Sequence, residues 1–414
     1  MTIKSYKRWR RNLLVLPALW TSELLFIPVA ILAAMIARCR TRAIEVGIGP
    51  DPLVSHIYQK RAMQLAGYRV ETFTGTPYYI TQEFDSIFHY KLKFTNVFLS
   101  KYLMYFHVIF RFRAVYIYFN GGPLGLTSLL WRLEPYFYKI AGVKVVTMPY
   151  GADVYDMTRA RNLLFKHSIN LDYPTNRSRG QAVRARVDLW TRRADHIIAG
   201  CDWVDFLDFW HTLTLTHFVI DTEEWAPKEA ADGDTQRPLR ILHAPNHRNV
   251  KGTKFFVQAV DELGAEGEAV ELVLLERVHN RKIKEAMETV DVVADQLIIG
   301  WYAIFALEAM AMGKPVLCYL RPDLERFYTD VGLVEPGELP IVNVRPETVK
   351  EVIRSLVRDR ERLRELGRRS RSFVLRCHSL PAAAALFDAI NRSIGVYPSR
   401  HEELSRLTLH RSVR

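Results

Sequence analysis

A single carboxylate, Glu308, stands in an otherwise uncharged stretch that covers residues 301–312. Burying a carboxylate on so apolar a helix costs free energy unless another group shares a hydrogen bond with it. Two interpretations are open. Glu308 is either a core carboxylate paired with a nearby lysine or backbone amide, or the acceptor of hydrogen bonds from a polar ligand.

The turn before this helix contains Gly300, which follows the polar pair Asp295 and Gln296 at the end of a predicted strand. Glycine lets a ligand approach the backbone closely, and the amides that open the next helix would point at that ligand. The aromatic residues Trp301 and Tyr302 come directly after Gly300. A plain tight turn is the alternative interpretation.

A second polar stretch, residues 243–254, joins another predicted strand to its helix. Its basic residues Arg248 and Lys251 lie near a helix N-terminus, where the helix dipole adds positive potential. Arginine presents a planar fork and lysine a mobile point charge, so the pair is complementary to a diphosphate. Asn246 and Gly252 belong to the same loop. The alternative is a set of solvated loop residues.

These two stretches, with residues 220–221 ahead of a linker, resemble the retaining family 4 of the GT-B glycosyltransferases, most closely over residues 240–320. In that family the Lys-Gly loop holds the diphosphate of a nucleotide sugar, and the carboxylate before Ala-x-Ala-x-Gly-x-Pro-Val binds the ribose hydroxyls. Gly300 stands where the family usually has a second glutamate, and Asp295 and Gln296 are the replacements at the strand end. The resemblance assigns donor binding to ten residues: Asn246, Arg248, Lys251, Gly252, Asp295, Gln296, Gly300, Trp301, Tyr302 and Glu308.

The resemblance also places an acceptor in the first half of the chain, at the loops 47–56 and 148–153. Small residues there let an acceptor or the donor phosphates approach the backbone. His56 and Asp153 are the titratable candidates for catalysis in these loops. His56 is equally compatible with a surface helix position, and Asp153 with a cap of the following helix.

The reaction implied by the resemblance moves a sugar from a nucleoside-diphosphate sugar to a hydroxyl acceptor, with retention of anomeric configuration. Arg248 and Lys251 would stabilise the departing diphosphate, so the resemblance implies no required metal and no further cofactor. The leaving phosphate can take the acceptor proton. Two alternatives stay open: a sugar-nucleotide epimerase of the same fold, and a non-catalytic membrane-associated partner that binds a nucleotide.

Strand and helix patterns alternate along the chain, which predicts an α/β fold with parallel sheets. The resemblance specifies a GT-B arrangement of two Rossmann-like domains that face a cleft, with ligands at the carboxyl ends of the strands. The predicted parts are a membrane-associating segment (1–42), an acceptor-side domain (43–225), a linker (226–238), a nucleotide-sugar-binding domain (239–379), a helix that can return to the first domain (380–396) and a polar tail (397–414).

The net charge of +12 is concentrated in residues 1–42 and 351–414, so the centre of the chain is not a basic nucleic-acid platform. Residues 177–193 contain six arginines and one aspartate. They form either a solvated helix face or a surface for a phosphorylated acceptor or anionic lipid. The four cysteines are widely spaced, which indicates neither a disulfide framework nor a metal site and favours a reducing cytoplasm.

Residues 13–36 are almost wholly apolar, lie between basic clusters and are long enough to cross a bilayer. Pro17, Pro28 and the polar residues 21–23 make a monotopic anchor or a hairpin at least as compatible with the sequence as a single span. We therefore expect a protein at the cytoplasmic face of a membrane, with a glycan or lipid-linked acceptor and a role in polysaccharide or glycolipid synthesis. We also expect this segment to add nothing to the catalytic fold; the alternative is that it packs as a helix on a neighbouring subunit or on the first domain.

Overall fold

The strands of the chain form two separate parallel sheets, in a computed structural model that describes residues 3–77, 83–89, 99–227 and 237–399. The central strands β1 (Ile44–Ile48), β4 (Phe112–Tyr118) and β8 (Leu239–His243) are largely buried because helices cover the faces of each sheet. The predicted α/β class with two parallel-sheet domains is confirmed. Most of the predicted linker, residues 228–236, and residues 400–414 of the tail lie outside the described residues.

The first sheet has seven strands in the order β3-β2-β1-β4-β5-β6-β7. The strand order reverses between β1 and β4, so the loops after these two strands flank a crevice at the carboxyl edge of the sheet. The strands are β1 (Ile44–Ile48), β2 (Val70–Thr74), β3 (Ser86–Ile87), β4 (Phe112–Tyr118), β5 (Lys144–Met148), β6 (His196–Ala199) and β7 (Thr212–Leu213).

Six described α-helices belong to this first domain, and short 3-10 helices lie at Leu130–Arg132, Pro174–Ser178 and Cys201–Phe206. The α-helices are α1 (Ile3–Arg38), α2 (Ser55–Leu65), α3 (Ser100–Arg111), α4 (Glu134–Ala141), α5 (Leu163–Asp172) and α6 (Gly180–Arg193).

The second sheet has five strands in the order β12-β11-β10-β8-β9, and its order reverses between β8 and β10. The loops after β8 and β10 are the two polar stretches that the sequence singles out, so the topology brings them to one crevice. The strands are β8 (Leu239–His243), β9 (Val270–Leu274), β10 (Val292–Gln296), β11 (Val316–Cys318) and β12 (Ile341–Asn343).

The helices of the second domain begin with a single turn, α7, that runs into α8 through the left-handed Gly252 (φ 73°). They are α7 (Arg248–Lys251), α8 (Thr253–Ala265), α9 (Asn280–Thr289), α10 (Ile304–Ala311), α11 (Pro322–Asp330), α12 (Val349–Arg358) and α13 (Arg360–Cys377). The last helix, α14 (Leu380–Ser393), packs on α2 of the first domain, where Tyr68 Oη donates to Asp388 (2.8 Å) and Tyr116 Oη donates to Asn391 (2.8 Å).

Helix α1 packs along the first domain, which corrects the expectation that residues 1–42 stay outside the fold. Glu23 is buried and accepts hydrogen bonds from the backbone N–H of Ser128 (3.0 Å) and of Leu129 (2.7 Å). Phe26 stacks on Tyr102 of α3 at 4.0 Å between ring centroids. The hairpin alternative is also wrong, because α1 is one continuous helix that includes Pro17 and Pro28.

The other face of α1 is exposed and apolar. The stretch Pro17–Arg38 is the one helix among the described residues that is long and apolar enough to cross a membrane, a test that core helices of soluble proteins also meet. The exposed side chains follow a helical spacing and are Trp20, Leu24, Leu25, Val29, Leu32, Met35 and Ile36.

Candidate functional site

A short ion pair joins the loop after β8 to the end of β10. Lys251 Nζ lies 2.5 Å from Asp295 Oδ1, and the two side chains are 15% and 0% exposed. The buried His243, at the end of β8, holds this loop in place. Its Nε2 lies 2.9 Å from Thr253 Oγ1, and its Nδ1 lies 2.7 Å from the Ala294 carbonyl. Because a carbonyl only accepts, Nδ1 carries the proton and Nε2 accepts from the Thr253 hydroxyl. A buried, fully bonded histidine therefore fixes the start of α8 to β10.

Arg248 has a different partner and takes no part in the Lys251–Asp295 ion pair. Its guanidinium forks onto Glu276, with Nε at 2.8 Å from Oε1 and Nη2 at 3.0 Å from Oε2, and its side chain is 58% exposed. The hydrogen bond with Glu276 raises the pKa of Arg248. Asn246 is exposed in the same loop. The structure thus separates the two basic residues that the sequence groups together.

Glu308 lies on α10 with only 8% of its surface exposed. Within the described residues, its carboxylate has no hydrogen-bond or ion-pair partner. Burial raises the pKa of Glu308 to about 8, and the negative charges of Glu224 and Asp295 add to that increase. No lysine or backbone amide of these residues lies within hydrogen-bond or ion-pair distance, although the charge of Lys284 is near enough to oppose the rise of this pKa. The carboxyl group has free hydrogen-bonding capacity instead.

The turn between β10 and α10 is held by Gln296. Its side-chain oxygen accepts from the N–H groups of Ile298 (2.7 Å) and Ile299 (2.6 Å), and its Nε2 donates to the carbonyls of Trp301 (3.0 Å) and Tyr319 (2.9 Å). All of the polar capacity of Gln296 is directed at this turn and its neighbours. Gln296 therefore shapes the loop and does not present a free group to a ligand in this conformation.

Gly300 has a left-handed backbone (φ 99°). A Cβ at this position would lie 2.5 Å from Cγ of Arg321, whose side chain fills the adjoining space. Trp301 and Tyr302 are both buried, and the Tyr302 hydroxyl lies 3.1 Å from His378 Nε2. The indole N–H of Trp301 is buried without a hydrogen-bond partner in the described part of the chain.

The two domains meet across the crevice through polar contacts that the sequence alone did not indicate. Arg321 Nη1 lies 2.5 Å from Asp205 of the first domain, with side chains only 6% and 3% exposed. Burial alone would lower the pKa of Arg321, but its hydrogen bonds to Asp323 and Asp205 outweigh burial and raise that pKa. Asn162, the N-cap of α5, donates to the carbonyl of Ile298 at 2.7 Å.

A first-domain carboxylate also reaches the start of α7. Asp172, the last residue of α5, accepts from the backbone N–H of Val250 (2.9 Å) and from Asn249 Nδ2 (2.7 Å). The N-terminal amide that the sequence analysis reserves for an anionic ligand is therefore bonded to a protein carboxylate here. An anion that uses this amide has to displace Asp172.

On the first-domain side, His56 is fully buried and stacks on Tyr118 at 5.4 Å between ring centroids. Burial lowers the pKa of His56 to about 3, so its ring is neutral at physiological pH. Neither ring nitrogen has a hydrogen-bond partner among the described residues. His56 is thus a core position of α2 and not the surface position that the sequence allowed.

Asp153 is buried and bonded entirely to backbone amides. It accepts from the N–H groups of Tyr150, Gly151 and Phe119, each at 3.0 Å, so it ties the loop after β5 to the end of β4. Burial raises its pKa to about 7. A nearby residue that the sequence analysis missed is Asp51, which accepts from Asn120 at 3.3 Å and whose Oδ2 is unpartnered among the described residues. Burial raises the pKa of Asp51 to about 6.

Solved structures of low sequence identity share this arrangement of two domains. Sucrose-phosphate synthase from Thermosynechococcus elongatus matches with a TM-score of 0.53 at 14% identity, over 84% of this chain and 98% of that one. Anabaena HepE in complex with UDP matches with a TM-score of 0.54 at 12% identity, over 84% of this chain and 100% of that one. The chain has the GT-B fold. No protein-family model and no curated protein matches it.

In this fold the crevice lies between the two domains. The loops after β1, β4 and β5 line one side, and the loops after β8 and β10 line the other. Of the sequence-predicted donor residues, the structure brings Lys251, Asp295 and Glu308 into one neighbourhood. Besides Asp51, the residues that sequence reasoning missed are those that act between domains, namely Asp172, Asp205 and Arg321. No local pattern marks them, because their partners are distant in the chain.

Proposed function

We propose that this protein is a glycosyltransferase that moves a sugar from a nucleoside-diphosphate sugar to a hydroxyl acceptor. The observation that carries the proposal is Glu308, a buried carboxylate with no partner in the described residues, placed near the Lys251–Asp295 ion pair. A carboxylate that is largely removed from water and has no protein partner is a costly arrangement unless a ligand supplies the hydrogen bonds. The two hydroxyls of a ribose do so.

The neighbours of the same fold support this choice of ligand. One is by name a sucrose-phosphate synthase, and the other is in complex with UDP. At the crevice, the ammonium group of Lys251 is paired with Asp295 and can also bind a diphosphate. The guanidinium of Arg248 is instead paired with Glu276. We therefore assign the diphosphate first to Lys251, and to Arg248 only after its fork leaves Glu276.

In the proposed reaction the bond between the anomeric carbon and the diphosphate oxygen breaks, and the acceptor oxygen bonds to the same carbon. The acceptor proton passes to an oxygen of the leaving diphosphate. Lys251 stabilises the negative charge that develops on that group, through a charge that is already in place before the reaction. No metal or other cofactor is part of this proposal, and retention at the anomeric carbon is part of it.

The acceptor side of the crevice offers polar atoms without protein partners in the described chain. They are Asp51 Oδ2, both ring nitrogens of His56 and Gln59 Oε1. Of these three residues Asp51 is the one that is partly exposed, so we assign the hydrogen bond from an acceptor hydroxyl to Asp51, whereas His56 and Gln59 are fully buried core residues. Asp153 is assigned to loop geometry, because both of its oxygens accept backbone N–H groups.

Helix α1 supports a location at a membrane surface. One face of α1 is bonded to the first domain through Glu23 and Phe26, so the helix cannot leave the domain to cross a bilayer without breaking these contacts. The opposite face exposes a continuous apolar stripe with Trp20 among its residues. We propose a monotopic helix that lies in the plane of the cytoplasmic leaflet. A glycan or lipid-linked acceptor for polysaccharide or glycolipid synthesis is consistent with that location.

Turnover of labelled nucleotide sugars, with and without a membrane extract as acceptor source, tests this function. We expect label to move from one nucleotide sugar to a membrane acceptor, and Glu308→Gln to reduce that transfer at least about tenfold. Glu347→Gln, an exposed glutamate of the same domain, is the matched control and should leave transfer unchanged. Isomerisation of the free sugar nucleotide would favour an epimerase, and binding without turnover would favour a non-catalytic partner.

A further inference from the structure

A groove on the flank of the first domain is lined by residues 131–136, which include the start of α4, and by residues 185–193 of α6. Its volume is about 550 Å³, within the range of small-ligand sites. Its basic members are Arg132, Arg192 and Arg193, and its apolar and aromatic members are Trp131, Leu133, Tyr136 and Leu189. A wall that is basic and apolar at once is suited to a ligand that has an anionic head and an apolar body.

Two of the arginines lie over aromatic rings. The guanidinium carbon of Arg132 is 4.2 Å from the ring centroid of Trp131, and that of Arg193 is 4.9 Å from the centroid of Tyr136. Contact with a ring engages the flat face of a guanidinium and leaves its N–H edge available for a phosphate. Stacking also restricts both side chains before any ligand binds, which reduces the entropy that binding must remove.

The charge of the groove is not neutralised by ion pairs. Within the described residues, none of Arg132, Arg192 and Arg193 lies within ion-pair distance of a carboxylate. Arg132 donates to the Ser128 carbonyl at 3.2 Å. Asp188 is the acidic residue in the lining, so the groove keeps an excess of positive charge.

The groove adjoins the segment that holds α1. Ser128 and Leu129, whose N–H groups bind Glu23 of α1, come directly before the residues that line it. Helix α4, which contributes Tyr136 to the groove, also packs against α1 through its C-terminal end, where Arg38 of α1 donates to the carbonyls of Lys139 and Ile140, each at 3.4 Å. The groove and the helix whose other face exposes the apolar stripe are therefore neighbours on the same domain.

We propose that this groove binds the phosphate headgroup of an anionic membrane lipid. The proposal rests on the membrane location proposed above. Arg132, Arg192 and Arg193 hold the phosphate, while Leu133, Leu189 and the ring edges of Trp131 and Tyr136 contact the glycerol and upper acyl chain. Of the arginine-rich residues 177–193, it assigns Arg192 and Arg193 to a lipid-binding surface instead of a solvated helix face.

Co-sedimentation of the full chain with phosphatidylcholine vesicles, with and without phosphatidylglycerol, tests the proposal. The readout is the ratio of the two affinities. A basic residue near an anionic surface contributes about fivefold to affinity, so Arg132→Gln/Arg192→Gln/Arg193→Gln should reduce the ratio by about 100-fold. The matched control removes three exposed arginines from the second domain, Arg281→Gln/Arg326→Gln/Arg368→Gln. It should change the ratio by less than about threefold, because salt screens these arginines from the vesicle surface.

Equal loss in both triple variants would overturn the proposal, because net charge alone would then explain the preference. An unchanged ratio in the groove variant would also overturn it, as would displacement of wild type by inorganic phosphate at constant ionic strength, which would indicate a soluble phosphate ligand. Wild type that binds neither vesicle overturns the membrane location and the groove assignment together. Nucleotide binding, measured in parallel, is expected to be the same in all variants, so failure of the transferase proposal is seen separately.

Discussion

Arg321 fills the space that a side chain at residue 300 would need. Its backbone N–H donates to the Gly300 carbonyl at 3.0 Å, and its Cγ and Cδ lie 2.5 and 2.6 Å from where a Cβ on Gly300 would be. The same arginine pairs with Asp205 across the crevice. The glutamate that the resembling family places here is thus replaced by a glycine together with a buried arginine that links the two domains.

Substitution of Gly300 should therefore destabilise the protein even by the smallest side chain. In Gly300→Ala the left-handed backbone alone costs about 1–2 kcal/mol, and displacement of Arg321 adds to that cost. Gly264→Ala is the control, since a Cβ there meets nothing within 4 Å and the site is helical, so a gain of about 0.5–1 kcal/mol is expected. Denaturant unfolding measures both. Equal stability of Gly300→Ala and wild type would show that Arg321 is not held in this position.

Glu308 should make nucleotide binding depend on pH. Its carboxyl is largely protonated below its raised pKa of about 8, and the ionised form is the better acceptor for two ribose hydroxyls. Affinity for an intact nucleotide sugar should therefore rise about tenfold per unit between pH 6 and pH 8 and level off above. Glu308→Gln should flatten this profile. A pH profile that is the same in both proteins would remove Glu308 from the donor site.

The same carboxyl should lower stability as pH rises. An acid whose folded pKa lies above its unfolded value holds its proton in the folded state, so stability present below about pH 4.5 is lost as pH rises toward 8. We expect Glu308→Gln, which stays neutral, to lose less stability than wild type between pH 6 and pH 8. Thermal unfolding at the two pH values measures the difference, and a parallel loss in both proteins would contradict the assigned pKa.

Removal of α1 should unfold or aggregate the first domain. Deleting residues 1–42 removes the buried Glu23 and Phe26 and exposes the apolar surfaces of α3 and α4 that they cover. Deleting residues 1–16 should preserve the fold, because it leaves Glu23 and Phe26 in place. Circular dichroism and size-exclusion chromatography distinguish the two. A soluble, fully folded chain without residues 1–42 would return α1 to the role of a detachable anchor.

The sequence was sufficient for the fold and for part of the site. Lys251, Asp295 and Glu308 could be grouped because parallel strands end at one edge of a sheet: Asp295 lies at the end of β10, and Lys251 and Glu308 lie in the segments that follow β8 and β10. The Arg321–Asp205 and Asp172–Val250 contacts could not be found, since they depend on how two domains dock. Hydropathy could not show whether α1 packs on the domain or spans a membrane. A helix with one packed and one exposed apolar face has the same apolar composition as a membrane span.

His56 and Arg248 show the same limit at single residues. Both types are common in active sites, but the ring of His56 is buried in the core of α2 and Arg248 is paired on the surface with Glu276. Burial and partner choice depend on neighbours that are far away in the chain. The assignment to a retaining family stays a prediction.

Isothermal titration of the full chain with UDP, GDP, ADP, dTDP and CMP tests the central claim most directly. We predict that one nucleoside diphosphate binds, that Glu308→Gln weakens it about tenfold, and that Lys251→Met/Asp295→Asn, which removes the buried pair as a whole, weakens it further without unfolding the protein. Absence of binding by all five nucleotides, or equal affinity of wild type and Glu308→Gln, would contradict a donor site in this crevice.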